Sequence, residues 1–139
     1  AGAIHDGAGP GLEEECRPFA PIEPGEAVLT GAYNLPNNYV IHVLGPVYGK
    51  DRPGEEILKR CYRNVLTLAE KHRIRSIAFP ALSTGAFGYP LRDAARTALS
   101  AVAGMSKELR QVRLIRFVLF SQEDFRVHEE ALEGVTASE

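Results

Sequence analysis

The chain has 139 residues, a formal net charge of −2, 45% hydrophobic and 24% charged residues, the profile of one globular domain with a buried core. That balance supplies no global basic field, which argues against tight non-specific nucleic-acid binding while leaving room for a local basic patch. The apolar runs are too short to cross a bilayer, no signal peptide is recognisable at residue 1, and Cys16 and Cys61 are not spaced as a metal site or a redox pair; the expectation is a cytoplasmic protein with reduced thiols, no metal, no cofactor and no membrane partner.

In chain order, residues 1–16 read as helical stretches broken at Pro10-Gly11, and Pro18, Pro21 and Pro24 mark an irregular connector. Residues 27–30 and 39–44 read as strands joined by an Asn- and Pro-containing loop. From 54 to 72, Ile57, Leu58, Cys61, Val65, Leu68 and Ala69 recur at helical spacing, and 74–79 is the next strand. Pro90 is placed as the first residue of a helix reaching Gly104. The run 114–120 is a strand apolar enough to be covered on both faces, and Ser121 with Asp124 approximates a capping box for a last helix ending near Glu133. The domain is expected to close at residue 135, with 136–139 a tail. Alternation of helix and strand after residue 54 implies right-handed crossovers and a parallel core sheet flanked by helices.

The segment from Pro80 to Pro90 carries most information about chemistry. It runs from a strand through Leu82, Ser83, Thr84, Gly85, Ala86, Phe87 and Gly88 into a helix start. First-turn amides lack intrahelical partners, and Gly85 and Gly88 can take positive φ, which lets successive N–H groups converge on an anion such as phosphate. Phe87 is placed to lay its ring against a sugar. On spacing alone an ordinary turn with a core Phe fits equally well. The loop and Phe120 both follow strand carboxyl ends, where ligands of such sheets bind, and that favours function. Taken alone, Phe120 reads as a core strand residue; its place beside the loop reverses this. His42 reads as a structural hydrogen-bonding residue, Cys61 as a buried thiol, and the basic residues Lys71, Arg73, Arg75 and those between Arg110 and Arg116 as a solubilising surface around the strand entrances.

These residues resemble the macro domain, the ADP-ribose-binding module. The matches keep the family's order: Gly2-Ala3-Ile4-His5, Ala8-Gly9-Pro10, 12–16, Gly25-Glu26-Ala27, Thr30, Leu35-Pro36, Val40-Ile41-His42-Val43, Gly45-Pro46, Leu58, Cys61-Tyr62, 80–90 and 117–120. The resemblance implies a three-layer α/β/α sandwich with a mixed, mostly parallel sheet. It implies ADP-ribose, or a macromolecule carrying it, as ligand. Residues 83–88 would wrap the diphosphate, Phe87 would lie near the distal ribose and Phe120 under the adenine, with Ala1, Ile4 and Leu82 also lining the site. The family has an upstream segment with an edge strand, an adenine-reading aspartate, a central strand and an Asn-Ala-Ala-Asn turn. This sequence lacks them, so the numbering is expected to start inside the domain, because omitting a central strand leaves unpaired backbone edges.

Hydrolytic members, which remove acetyl from O-acetyl-ADP-ribose or ADP-ribose from acidic side chains, commonly carry Asp where this chain has Ala1. Alanine cannot orient or activate water. His5 matches a histidine of those members and is the one catalytic candidate; taken alone such a residue is more often a satisfied helix-face histidine than a general base. Binding module and hydrolase therefore both stay open, as does a poly-ADP-ribose or nucleic-acid binding module using the basic residues.

Overall fold

A computed structural model describes residues 11, 22–31 and 38–137. The order is β1 (Ala27–Gly31), β2 (Tyr39–Val43), α1 (Gly54–Lys71), β3 (Ser76–Phe79), α2 (Leu91–Met105), β4 (Leu114–Phe117) and α3 (Gln122–Ala137). Among the described residues the strands form two ladders. β1 and β2 pair antiparallel with Val28 opposite His42 and Thr30 opposite Val40. β3 and β4 pair parallel with Ser76 opposite Leu114 and Phe79 opposite Phe117. Both strand orientations are thus present, in an α/β architecture.

Helix α1 organises the core. Ile57, Leu58, Cys61, Tyr62, Val65, Leu66 and Ala69 form one buried stripe, as the helical period requires. Leu58 and Leu66 are fully buried, each contributing about 1.5–3 kcal/mol of transfer free energy. Tyr62 packs its ring against Phe79 and Phe117, with centroids 5.0 and 6.2 Å away, joining α1 to the parallel ladder. On the antiparallel ladder, Ala27, Ile41 and Val43 pack against the same cluster. Asn64 Nδ2 donates to the Gly25 carbonyl at 2.6 Å, fixing the turn that enters β1. Helix α2 presents Ala94, Ala95, Ala98 and Ala101, small enough for close approach to its neighbours. In α3, His128 is buried; its Nδ1 lies 2.8 Å from the Asp124 carbonyl and its ring rests against Phe117.

Several expected boundaries move. Pro90 is the N-cap of α2 and not its first residue, because ψ 130° holds it extended while its carbonyl accepts from the Ala94 N–H. β3 starts at Ser76 and not at 74, since Ile74 is still engaged in closing α1. β4 ends at Phe117, and Leu114 and Val118 are exposed rather than covered on both faces. α3 begins as expected, with Asp124 N–H donating to Ser121 Oγ, but continues to Ala137, past the expected end near Glu133. The expectations for residues 1–10, 12–21 and most of the loop before β2, including Cys16, lie outside the described residues.

Candidate functional site

The loop after β3 is shaped by its own carbonyls. Gly88 N–H donates to Gly85 O at 3.0 Å, Tyr89 N–H to Ser83 O at 2.9 Å, and Thr84 Oγ1 to Ala81 O at 3.1 Å. Tyr48 N–H, from the segment after β2, donates to Phe87 O at 2.9 Å. The carbonyls of Ala81, Ser83, Gly85 and Phe87 are thereby occupied. Among the described residues no hydrogen bond uses the N–H of Ser83, Thr84, Gly85, Ala86 or Phe87. Occupied carbonyls beside a run of unspent amides make a region of positive potential without a charged side chain.

Of the two glycines able to turn left-handed, only one does. Gly88 has φ 72°, but the other positive φ falls on Ser83, at 66°, and not on Gly85. A non-glycine there costs about 1–2 kcal/mol. Ser83 Oγ sits so close to Gly45 that a Cβ on that glycine would collide with it. That hydroxyl is buried with no hydrogen-bond partner among the described residues. Gly88 spends its own N–H inside the loop and acts on its shape.

Phe120 follows β4 as the loop follows β3. Phe79 and Phe117 are register partners, and Val118 N–H donates to Phe79 O at 2.8 Å, so both segments leave adjacent parallel strands at their carboxyl ends. The Phe120 side chain is 100% exposed, which removes the core reading. Leu82 packs partly buried against the core, and Phe87 is half-buried. Ala1, Ile4 and His5 lie outside the described residues.

Two supporting side chains in α1 have roles that sequence reasoning missed. Burial raises the Tyr62 phenol above the usual tyrosine range, an effect the backbone N–H of Leu82 partly offsets, so this buried ring reaches the start of the loop. Cys61 Sγ donates to Leu44 O at 3.3 Å, holding the chain just before Gly45. Burial pushes its thiol up to about 11, keeping it a neutral donor and a poor nucleophile. Their apolar periodicity marks both as core; no local signal says that the polar tips grip two loops. His42 is structural as expected, its Nε2 2.9 Å from the buried Thr30 Oγ1. Among the described residues no group of His, Cys, Asp and Glu is arranged to hold a metal ion, and no helix is long and apolar enough to cross a membrane.

A family model for the macro domain matches residues 1–98. A macro domain-containing protein of Chlorobaculum tepidum is 46% identical over 132 residues, an alignment covering 94% of this chain and 77% of that protein. The ADP-ribose glycohydrolase MACROD2 of Xenopus laevis is 41% identical over 94% of this chain, though this spans only 32% of its own length. Among solved structures, the Oceanobacillus iheyensis macrodomain with ADP superimposes with a TM-score of 0.93 at 35% identity, covering 99% of this chain and 76% of that one. The Trypanosoma brucei macrodomain in complex with ADP-ribose gives 0.85 at 39% identity, covering 94% and 55%. Sequence order, backbone and the amide-lined turn after β3 agree with one another, and the chain belongs to the macro domain family.

Proposed function

We propose that this protein binds ADP-ribose, free or attached to a macromolecule, with the diphosphate seated on the amides of Ser83, Thr84, Gly85, Ala86 and Phe87. The observation that carries this reading is that row of unspent N–H groups beside the orphaned Ser83 hydroxyl. Uncharged donors fixed by the fold bind an anion without reorganisation, and the buried hydroxyl gains the acceptor it lacks. The exposed Phe120 ring supplies an apolar shelf for the adenine, Phe87 and Gly88 border the distal ribose, and Leu82 closes the apolar floor. Ala1 and Ile4 are assigned to the same cleft on the family resemblance alone. The solved complexes with ADP and ADP-ribose in relatives at 35–39% identity support the ligand class.

Isothermal titration of the protein with ADP-ribose tests the reading. Saturable heat is expected with ADP-ribose and with ADP, and none with adenosine, which lacks the diphosphate. Absence of heat with ADP-ribose at millimolar concentration, in a folded sample, overturns it.

A second reading is hydrolysis of an ADP-ribose linkage, favoured by the similarity to an ADP-ribose glycohydrolase. In that reading His5 and a water held by the diphosphate carry the reaction, and Ala1 limits its rate. Release of free ADP-ribose from a glutamate-modified protein, followed by chromatography, distinguishes the two: turnover abolished by His5→Ala and raised by Ala1→Asp supports the enzyme. No turnover leaves the binding module.

A further inference from the structure

The formal charge of −2 conceals a segregation. Between 71 and 76 and between 107 and 116 the chain carries Lys71, Arg73, Arg75, Lys107, Arg110, Arg113 and Arg116, against Glu108 alone. The fold gathers most of these at the amino ends of β3 and β4. Arg113 N–H and Leu114 N–H both donate to Arg75 O, at 2.7 and 3.1 Å, which sets Arg75 beside Arg113. Glu70, at the end of α1, accepts from the backbone N–H groups of Arg110, Gln111 and Val112, bringing Arg110 to Lys71 and Arg73. Lys71, Arg73, Arg75, Arg110 and Arg113 are all exposed, and among the described residues none of them forms an ion pair. Glu70 is thus a local carboxylate turned onto backbone amides. The acidic side chains Glu123, Asp124, Glu129, Glu130 and Glu133 belong to α3 instead.

A second observation points the same way. Arg73 has φ 56° and occupies the position after the α1 cap where glycine is normally favoured: Ile74 N–H donates to Ala69 O and Arg73 N–H to Glu70 O, the two bonds of a Schellman ending. An arginine there is costlier than glycine by about 1 kcal/mol, so local structure does not explain the cation. Beside it, the ring of His72 meets that of Tyr39, which is 45% exposed, with centroids 6.3 Å apart.

We propose that the amino ends of β3 and β4 form a second binding surface, for single-stranded nucleic acid, lying at the opposite end of the parallel strands from the diphosphate loop. The cations are mainly arginines, whose planar forks match phosphate and stack on bases. Tyr39 provides the sequence-tolerant platform on which a base rests. Flat, unstacked bases favour a single strand over a duplex, since the patch offers no helix to enter a groove. This surface does not depend on the ADP-ribose reading.

Fluorescence anisotropy with labelled oligouridylate and oligothymidylate of about ten nucleotides tests the proposal. Binding is expected to weaken steeply between about 50 and 200 mM salt, and Arg75→Ala with Arg113→Ala should weaken it about tenfold and reduce the logarithmic salt slope by about 1.4. Tyr39→Ala should weaken it about tenfold with an unchanged slope. Arg73→Gly is expected to raise the thermal midpoint while lowering affinity, which separates loss of charge from loss of fold. The double variant should titrate with ADP-ribose as the parent does. No anisotropy change at low salt, arginine variants that bind like the parent, displacement of the oligonucleotide by ADP-ribose, preference for duplex, or binding to phosphatidylserine vesicles without binding to the oligonucleotide would each overturn it.

Discussion

Tyr62 and Cys61 place two polar tips of one apolar helix stripe against the segments that build the loop. Tyr62→Phe removes the phenol hydroxyl, whose ionisation the Leu82 backbone influences, while keeping the ring between Phe79 and Phe117. The expected result is ADP-ribose affinity reduced about fivefold, the equivalent of ~1 kcal/mol, with near-native stability, read by calorimetric titration. Cys61 titrates at about 11 in the folded protein and near 9.0 unfolded, because burial disfavours the thiolate. Its contribution to stability is complete below pH 9 and is lost as pH rises through 11, since the unfolded chain releases its proton first. Urea midpoints should therefore fall over that window, by less in Cys61→Ala, and the native thiol should resist alkylation at pH 8. Gly45→Ala tests the close approach to Ser83: the added methyl displaces the hydroxyl or the loop, an overpacking cost of about 1–3 kcal/mol, and ADP-ribose affinity should fall with stability.

At the level of elements, helix endings do much of the positioning. The Arg73 turn stops α1 and redirects the chain into β3, so the start of that strand depends on one left-handed residue. Glu70, one turn earlier, holds the approach to β4 through the amides of Arg110, Gln111 and Val112. Glu70→Ala leaves those amides to water and is expected to cost about 1–3 kcal/mol, measured as a lower urea midpoint. Glu70→Gln, which retains one acceptor oxygen, should recover part of the loss. The helical stripe of α1 and the Ser121 cap of α3 were legible in the sequence because each depends on residues within a turn or two of one another. The limits of β3 and β4 were not, because a strand ends where its neighbour's hydrogen bonds end, and Val118 N–H reaching Phe79 O is a contact between distant parts of the chain.

For the whole molecule, the parallel ladder gives the protein two ends of different chemistry. Backbone donors and an exposed aromatic ring follow the carboxyl ends, and arginines crowd the amino ends. A ligand that binds only the folded state stabilises it by mass action, about 2.7 kcal/mol at a hundredfold excess over Kd. For a domain of this size the thermal midpoint should rise on the order of 5–10 °C with ADP-ribose and stay unchanged with adenosine. A diphosphate seated on neutral amides should also resist salt far better than a polyanion bound through arginines, so calorimetry across ionic strength separates the two ends.

The order of motifs determined family membership, the ligand class to test and the place of the loop at a strand's carboxyl end, because these follow from local residue types in sequence. Tertiary structure decided the rest. Ser83 rather than Gly85 takes the left-handed turn, and its hydroxyl fits where it does because Gly45, remote in sequence, carries no Cβ. Arginines that read as a scattered solubilising surface are brought together because β3 and β4 pair in parallel and Glu70 draws the segment before β4 onto the end of α1. Neither effect has a local signature, since each arises where chain segments far apart in sequence compete for the same space or the same hydrogen bond.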